Sequence, residues 1–223
     1  MSALIYILEE NQVIIAMDTL SSINTEAGLK PYKFLTKIFP LMHMNCVLCG
    51  TGNFEPILKW FEHIESGIVA YGIIQLNKIT ELSIKAFMEK ENQTNASTTL
   101  YQFGLSELDG KFYGYAYRST NNYSSEKLLY SVGVKPQDAF NTNEELSQLI
   151  EGCIDQDVLA ALMLKLKEYD DNLGNTNPKK VGIGGQMEIC LLQKNSIQLL
   201  RQDIFPDCEA VYTEILDGCS TRY

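Results

Sequence analysis

Ser2, Asp18, Lys37 and the turn Gly50-Thr51-Gly52 are the residues of this 223-residue chain whose types and spacing could do chemistry together. A serine hydroxyl is a weak nucleophile at neutral pH and needs an adjacent base. The chain has only two histidines, His43 and His63, and neither is placed to serve Ser2. A free α-amine would serve instead: its ordinary pKa is about 7.7 to 8.0, and a neighbouring ammonium such as Lys37 disfavours its charged form. Asp18 would hold Lys37 charged and in place. The Gly50 backbone N–H would donate to a developing oxyanion, a contact whose loss costs roughly 10²–10³ in rate. The scheme requires that Met1 be removed, because an acylated nitrogen is no base; a small second residue favours removal by methionine aminopeptidase.

Hairpin pairing is what would bring these residues together. Ala3 to Leu8 and Val13 to Met17 are apolar runs separated by the polar Glu9-Glu10-Asn11-Gln12, so they read as two antiparallel strands. With Leu8 facing Val13, the ladder runs back to set Ser2 beside Asp18 or its neighbour. Thr36 to Leu41 and Asn45 to Thr51 read as a second pair turning near His43, which carries Lys37 to the level of Cys49 and Gly50. Asn53 can then cap a helix to about Glu65, with Pro56 in the tolerated first turn and Ile57, Leu58, Phe61 and Ile64 on one face.

Farther along, a helix is expected over Ile79 to Glu91, strands over Thr98 to Leu105 and Lys111 to Arg118 about the hairpin signal Asp109-Gly110, and a third strand over Lys127 to Val134. Helices follow at Glu144 to Ile150 and Gln156 to Asp170, then strands at Gly182 to Gln193 and Ser196 to Leu200. This order is not the strict alternation of a doubly wound sheet. It suits an α+β fold, a four-layer α/β/β/α sandwich of two antiparallel sheets with helices outside, in one domain over residues 1–223.

The opening Met1-Ser2-Ala3-Leu4-Ile5-Tyr6, the strand Val13 to Asp18, the Lys37-Ile38 step and the loop Cys49-Gly50-Thr51-Gly52 together resemble the proteasome-type N-terminal nucleophile (Ntn) hydrolases, which include proteasome β subunits and stand-alone bacterial relatives. The resemblance is specific over about residues 2 to 60. Val181 to Cys190 resembles the family's late glycine-then-strand element. The resemblance implies Ser2 as nucleophile, Asp18 sixteen positions later, Lys37 and the Gly50 amide as catalytic partners, and Thr51 and Gly52 at the substrate. Lys37 falls a few positions late, implying a short insertion within Leu20 to Lys33. The family's proteasomal members use threonine where this chain has serine, and the serine expected after Gly133 is Val134 here; Asp170 or Asp171 would supply a companion acid. The implied substrate is a peptide or amide, with no cofactor. Self-association into a homo-oligomer is implied, with an ATP-driven unfoldase as partner left open. A catalytically silent, scaffold or ring-forming subunit, like proteasome α-type chains, is the alternative.

Each residue alone has a plainer reading. Asp18 would cap a turn before Ser21 and Ser22, Lys37 would be a solvated lysine with Lys33 in its place, and Gly50 and Gly52 would only permit a tight connection. Their joint spacing favours the set. Tyr113, Tyr115 and Tyr117 alternate on one strand face, which reads as aromatic packing.

Composition narrows the classes further. Eighteen Lys plus Arg against 28 Asp plus Glu give a net charge of −10, which would repel a phosphate backbone, so nucleic acid is not expected. Apolar runs fall far short of the roughly 20 residues a membrane helix needs, and the expected compartment is the cytoplasm. The six cysteines read as buried small side chains in a reducing compartment. Cys46 and Cys49 lie three apart on a strand and so face opposite ways, and no zinc set assembles by spacing.

Overall fold

The computed structural model describes residues 2–93, 96–140 and 155–220. The expected helix over Glu144 to Ile150 lies outside them. Within them the chain forms twelve strands and four α-helices, a mixed α+β arrangement in three antiparallel sheets.

Strands β1 (Leu4–Leu8) and β2 (Gln12–Asp18) pair with Leu8 opposite Val13 and Leu4 opposite Met17, the register expected from the apolar runs. Strand β10 (Ser131–Lys135) flanks β1, and β11 (Met187–Gln193) and β12 (Ser196–Gln202) flank β2, giving the order β10-β1-β2-β11-β12. The second five-stranded sheet runs β5 (Ile38–Leu41), β6 (Cys46–Gly52), β7 (Thr98–Leu105), β8 (Phe112–Arg118) and β9 (Ser125–Lys127). Ile38 lies opposite Cys49, so Lys37, one residue before β5, is level with Gly50.

Two sheets were expected and three are present. Strands β3 (Leu20–Thr25) and β4 (Gly28–Phe34) form a two-stranded sheet with a bulge at Ser21/Ser22, and they occupy the stretch read as a short insertion. The single strand expected over Lys127 to Val134 is divided between β9 and β10, which belong to different sheets. Leu128 is buried between the sheets where the chain crosses, while Leu129 and Tyr130 face solvent, so one local apolar run spans two sheets.

Helix α1 (Phe54–Gly67) starts at Asn53, whose side chain accepts from the Glu55 N–H at 3.3 Å. Helix α2 (Ile73–Lys90) begins six residues before the expected Ile79. Its N-cap Gly72 has no side chain to contribute; the Glu107 carboxylate, over 30 residues away in sequence, accepts from Ile74 N at 3.2 Å and Gln75 N at 2.8 Å instead. Helix α3 (Gln156–Asp171) is capped by Asp155, accepting from Val158 N at 3.0 Å. Helix α4 (Cys208–Ser220) was not anticipated; Tyr212 stacks on Phe34 of β4 at 6.1 Å between ring centres.

Three apolar clusters hold these parts together. Val13, Ile15 and Met17 meet Val47, Tyr101 and Phe103 between the two large sheets. Trp60, Ile64, Leu76 and Ile84 of α1 and α2 pack on Leu48 and Leu100. Leu159, Leu162, Met163 and Leu166 of α3 cover Ile5, Ala16 and Ile189. Each such fully buried side chain contributes roughly 1.5–3 kcal/mol. Cys46 joins the α1/α2 cluster and Cys49 the inter-sheet cluster, the opposite facing that strand geometry requires. No helix among the described residues is long and apolar enough to cross a membrane.

Candidate functional site

The β1/β2 hairpin delivers the start of the chain to Asp18. Asp18 closes β2 and is fully buried, and its Oδ1 accepts from Ala3 N at 2.9 Å, the residue after Ser2. The same oxygen accepts from Lys37 Nζ at 3.0 Å, and that ammonium also donates to the Leu20 carbonyl at 2.5 Å. Asp18 Oδ2 takes the Gly184 N–H at 3.4 Å. The structure therefore brings Asp18, Lys37 and the residue following Ser2 to one point, from positions 15 and 19 residues away from Asp18 on either side.

Burial sets the electrostatics of this point. It pushes the Lys37 ammonium below its usual range, while the charges of Asp18 and Glu188 and the Asp18 hydrogen bond oppose that. It pushes Asp18 upward, opposed by Lys37 and by the Ala3 and Gly184 N–H groups. Each ion is the other's principal counter-charge, so removing either leaves the other without its main partner.

The loop before β11 completes the surroundings. Asp170 near the end of α3 is buried, and its carboxylate accepts from Val181 N at 2.5 Å, Gly182 N at 2.9 Å and Ile183 N at 3.2 Å. Gly182 and Gly185 lie at φ +76° and +82°, which lets the loop turn back so that Gly184 faces Asp18. Lys167 of α3 donates to the Ile183 carbonyl at 3.2 Å and pairs with Asp171 at 3.1 Å. Asp170 thus shapes the loop, and Asp171 is engaged with Lys167.

Ser2 is buried to 9% exposure and stands where two clefts meet. One, of about 420 Å³, is bordered by Thr51, Gly52, Thr98, Lys135, Tyr169 and Lys179. The other, of about 720 Å³, is bordered by Ser22, Lys33, Lys37, Gly52, Phe54 and Glu55. Thr51 and Gly52 end β6 beside Ser2. Gly52 has φ +96°, and a Cβ there would run into the Ser97 carbonyl; at Gly50 a Cβ would meet the Thr99 carbonyl oxygen at 2.7 Å. Gly52 thus keeps the β6 backbone open on the cleft that Ser2 borders, while Gly50 packs against Ile57 and Thr99.

Glu188, Gly184 and the Leu20 carbonyl were missed from sequence. Glu188 alone carried a signal, an acid in the otherwise apolar strand Met187 to Leu192. No group of three or more His, Cys, Asp or Glu side chains able to hold a metal ion occurs among the described residues.

No protein-family model matches this chain, and no curated protein does. Solved structures share its fold, two Anbu proteins among them. An Anbu (Gly-1) mutant from Hyphomicrobium sp. strain MC1 superimposes with a TM-score of 0.64 at 9% identity, over 99% of this chain and 94% of that one. Anbu (ancestral beta-subunit) from Yersinia bercovieri gives 0.61 at 10% identity over the same shares. At 9–10% identity this likeness carries a fold and not a family. The assignment to the proteasome-type Ntn hydrolases, or to their stand-alone bacterial β-subunit-like members, is therefore corrected: the chain has a proteasome-like fold similar to that of the Anbu proteins.

Proposed function

We propose that this chain, once Met1 is removed, hydrolyses amide bonds of peptides with Ser2 as nucleophile. The Ser2 hydroxyl attacks the scissile carbonyl while the α-amine takes its proton and hands it to the leaving nitrogen. The resulting ester is then hydrolysed by water, with the amine again serving as base. Lys37, charged against Asp18, lowers the proton affinity of that amine. The Gly50 amide is the proposed donor to the oxyanion, with Thr51 and Gly52 at the substrate backbone. The single observation that carries this reading is the position of Ser2 at the junction of two clefts, one residue from an Asp18 oxygen shared by Ala3 and Lys37. We read the surrounding packing as a four-layer α/β/β/α sandwich forming one domain.

A second reading is a silent scaffold or ring-forming subunit. What favours it is that the Asp18 carboxylate and the Lys37 ammonium already meet partners within the fold, so the pair braces the sheets whether or not Ser2 reacts. Self-association belongs to both readings; one fold neighbour is described as a β-subunit.

Intact-mass measurement of protein from its native host, before and after exposure to a serine-reactive peptide electrophile, separates them. The hydrolase reading expects a chain lacking Met1 that gains one adduct on Ser2. A retained Met1 with no adduct selects the scaffold. Ser2→Ala should abolish hydrolysis with a Tm shift within about 2 °C, and residual turnover would remove Ser2 from the mechanism.

A further inference from the structure

Strand β11 alternates: Met187 and Ile189 enter the cluster under α3, and Cys190 and Leu192 enter the cluster between the two large sheets. Glu188 shares the side of Cys190 and Leu192, so a carboxylate heads an apolar row, at 3% exposure. Such a group is tolerated only when its oxygens are satisfied. Glu188 Oε2 accepts from the backbone N–H of Lys37 at 3.2 Å, and Oε1 accepts from the Thr36 hydroxyl at 3.3 Å and from Arg201 at 3.4 Å. Arg201 in turn donates to the Thr36 hydroxyl at 2.9 Å.

The place of Lys37 in the chain gives this contact its consequence. β4 ends at Phe34 and β5 begins at Ile38, so the Lys37 N–H lies outside both ladders. The segment is tied at Leu35, whose N–H donates to the Thr19 carbonyl at 2.8 Å, and at Lys37 itself, by Glu188. A lysine side chain is long and rotamer-rich; where its ammonium comes to rest depends on where its backbone is held.

We infer that Glu188 is a positioning residue of the Ser2 site, fixing the Lys37 backbone so that its ammonium meets Asp18, with Arg201 and Thr36 orienting Glu188 from behind. The effect on turnover rests on the proposed Ser2 chemistry; the hold on Lys37 does not. The charged groups facing the Lys37 ammonium are Asp18 from β2 and Glu188 from β11, with Arg201 of β12 behind Glu188, and the α-amine of Ser2 once it is free.

The test compares wild type, Glu188→Ala and the near-isosteric Glu188→Gln in protein lacking Met1. Lysine-selective NMR follows the titration of Lys37, its signal assigned by its disappearance in Lys37→Arg. In Glu188→Ala the Lys37 midpoint is expected to fall by about half a pH unit or more. The kcat for a peptide substrate should drop about tenfold with KM within about twofold, as expected when a reacting group is misplaced while the substrate still binds as before. Glu188→Gln should recover part of kcat, because its amide oxygen still accepts the Lys37 N–H. A lowered Tm with the Lys37 titration and kcat unchanged in both variants would make Glu188 a plain staple between sheets and overturn the inference. If wild type neither hydrolyses peptides nor labels at Ser2, the proposed function fails, while a Lys37 midpoint lower in Glu188→Ala than in the equally uncharged Glu188→Gln still decides whether Glu188 holds that residue.

Discussion

The Asp18 oxygen that receives the Lys37 ammonium at 3.0 Å is Oδ1, the oxygen that also takes the Ala3 amide at 2.9 Å. A single atom therefore couples the position of the cation to the strand that begins the chain. Any slip of the β1/β2 register would move Ser2 away from Lys37 and exchange the two sets of side chains that β1 buries, Ile5 and Ile7 under α3 and Leu4 and Leu8 between the large sheets. The core that fixes the register also fixes the site.

Removing one member of this pair should expose how strongly they depend on each other. Lys37→Met leaves Asp18 fully buried with only the Ala3 and Gly184 amides, and truncating one partner of a buried ion pair costs about 3–5 kcal/mol. The double variant Asp18→Asn/Lys37→Met carries no unpaired charge and should cost clearly less than the two single losses added together. Urea denaturation of all four proteins measures the coupling; additivity within about 0.5 kcal/mol would show that Asp18 and Lys37 are not a pair.

How far this site could be read from sequence follows from the range of its contacts. The Ser2–Asp18 and Lys37–Gly50 relations follow from hairpins whose apolar runs and short turns set the register, so both were legible. Glu188 meets Lys37 across 151 positions and Gly184 meets Asp18 across 166, and no local pattern encodes either. The β3/β4 sheet was hidden because Ser21, Ser22, Asn24 and Lys30 give no apolar alternation on a half-exposed ribbon. The start of α2 was hidden because its cap is Glu107, outside any capping window.

Asp170 should act on the site through the loop it grips. Asparagine keeps one acceptor oxygen but turns an NH₂ toward N–H donors, so Asp170→Asn loses hydrogen bonds made to a charged group, each worth about 1.5–3 kcal/mol. The expected cost is about 2–3 kcal/mol in denaturant unfolding, with a displaced Gly184 amide resonance. An unmoved Gly184 signal would mean the loop holds its path without Asp170.

Gly52 and Gly110 make an internal control for the close approach beside Ser2. Both have positive φ, at +96° and +69°, but a Cβ at Gly110 meets nothing within 4 Å whereas one at Gly52 strikes the Ser97 carbonyl. Gly110→Ala should cost about 1 kcal/mol of backbone strain, and Gly52→Ala visibly more, because Ser97 and the Asn53 cap must also move. Thermal unfolding of the two variants side by side checks this; equal losses would show that the approach of Ser97 imposes nothing.

The inter-sheet core should make stability fall in alkali, and Cys190 shows the sign. Burial, with the Glu188 charge adding to it, pushes the Cys190 thiol from 9.0 up to about 12. Between those pH values the unfolded chain has released this proton and the folded chain still holds it. Unfolding is then linked to proton loss, so the stability present below pH 9 declines as pH rises toward 12, by at most about 1.4 kcal/mol per pH unit for one thiol. Cys46 and Cys49 are pushed in the same direction by burial, and Tyr101, pushed up to about 12, adds a further decline above pH 10. Cys190→Ala removes one of these linked protons and leaves the others. Urea unfolding at intervals from pH 8 to pH 11 should therefore give a shallower decline in the variant than in wild type, whatever constant offset the lost packing introduces below pH 8. Parallel curves would mean that the Cys190 thiol titrates alike in both states, and that this end of the core admits water beside Glu188.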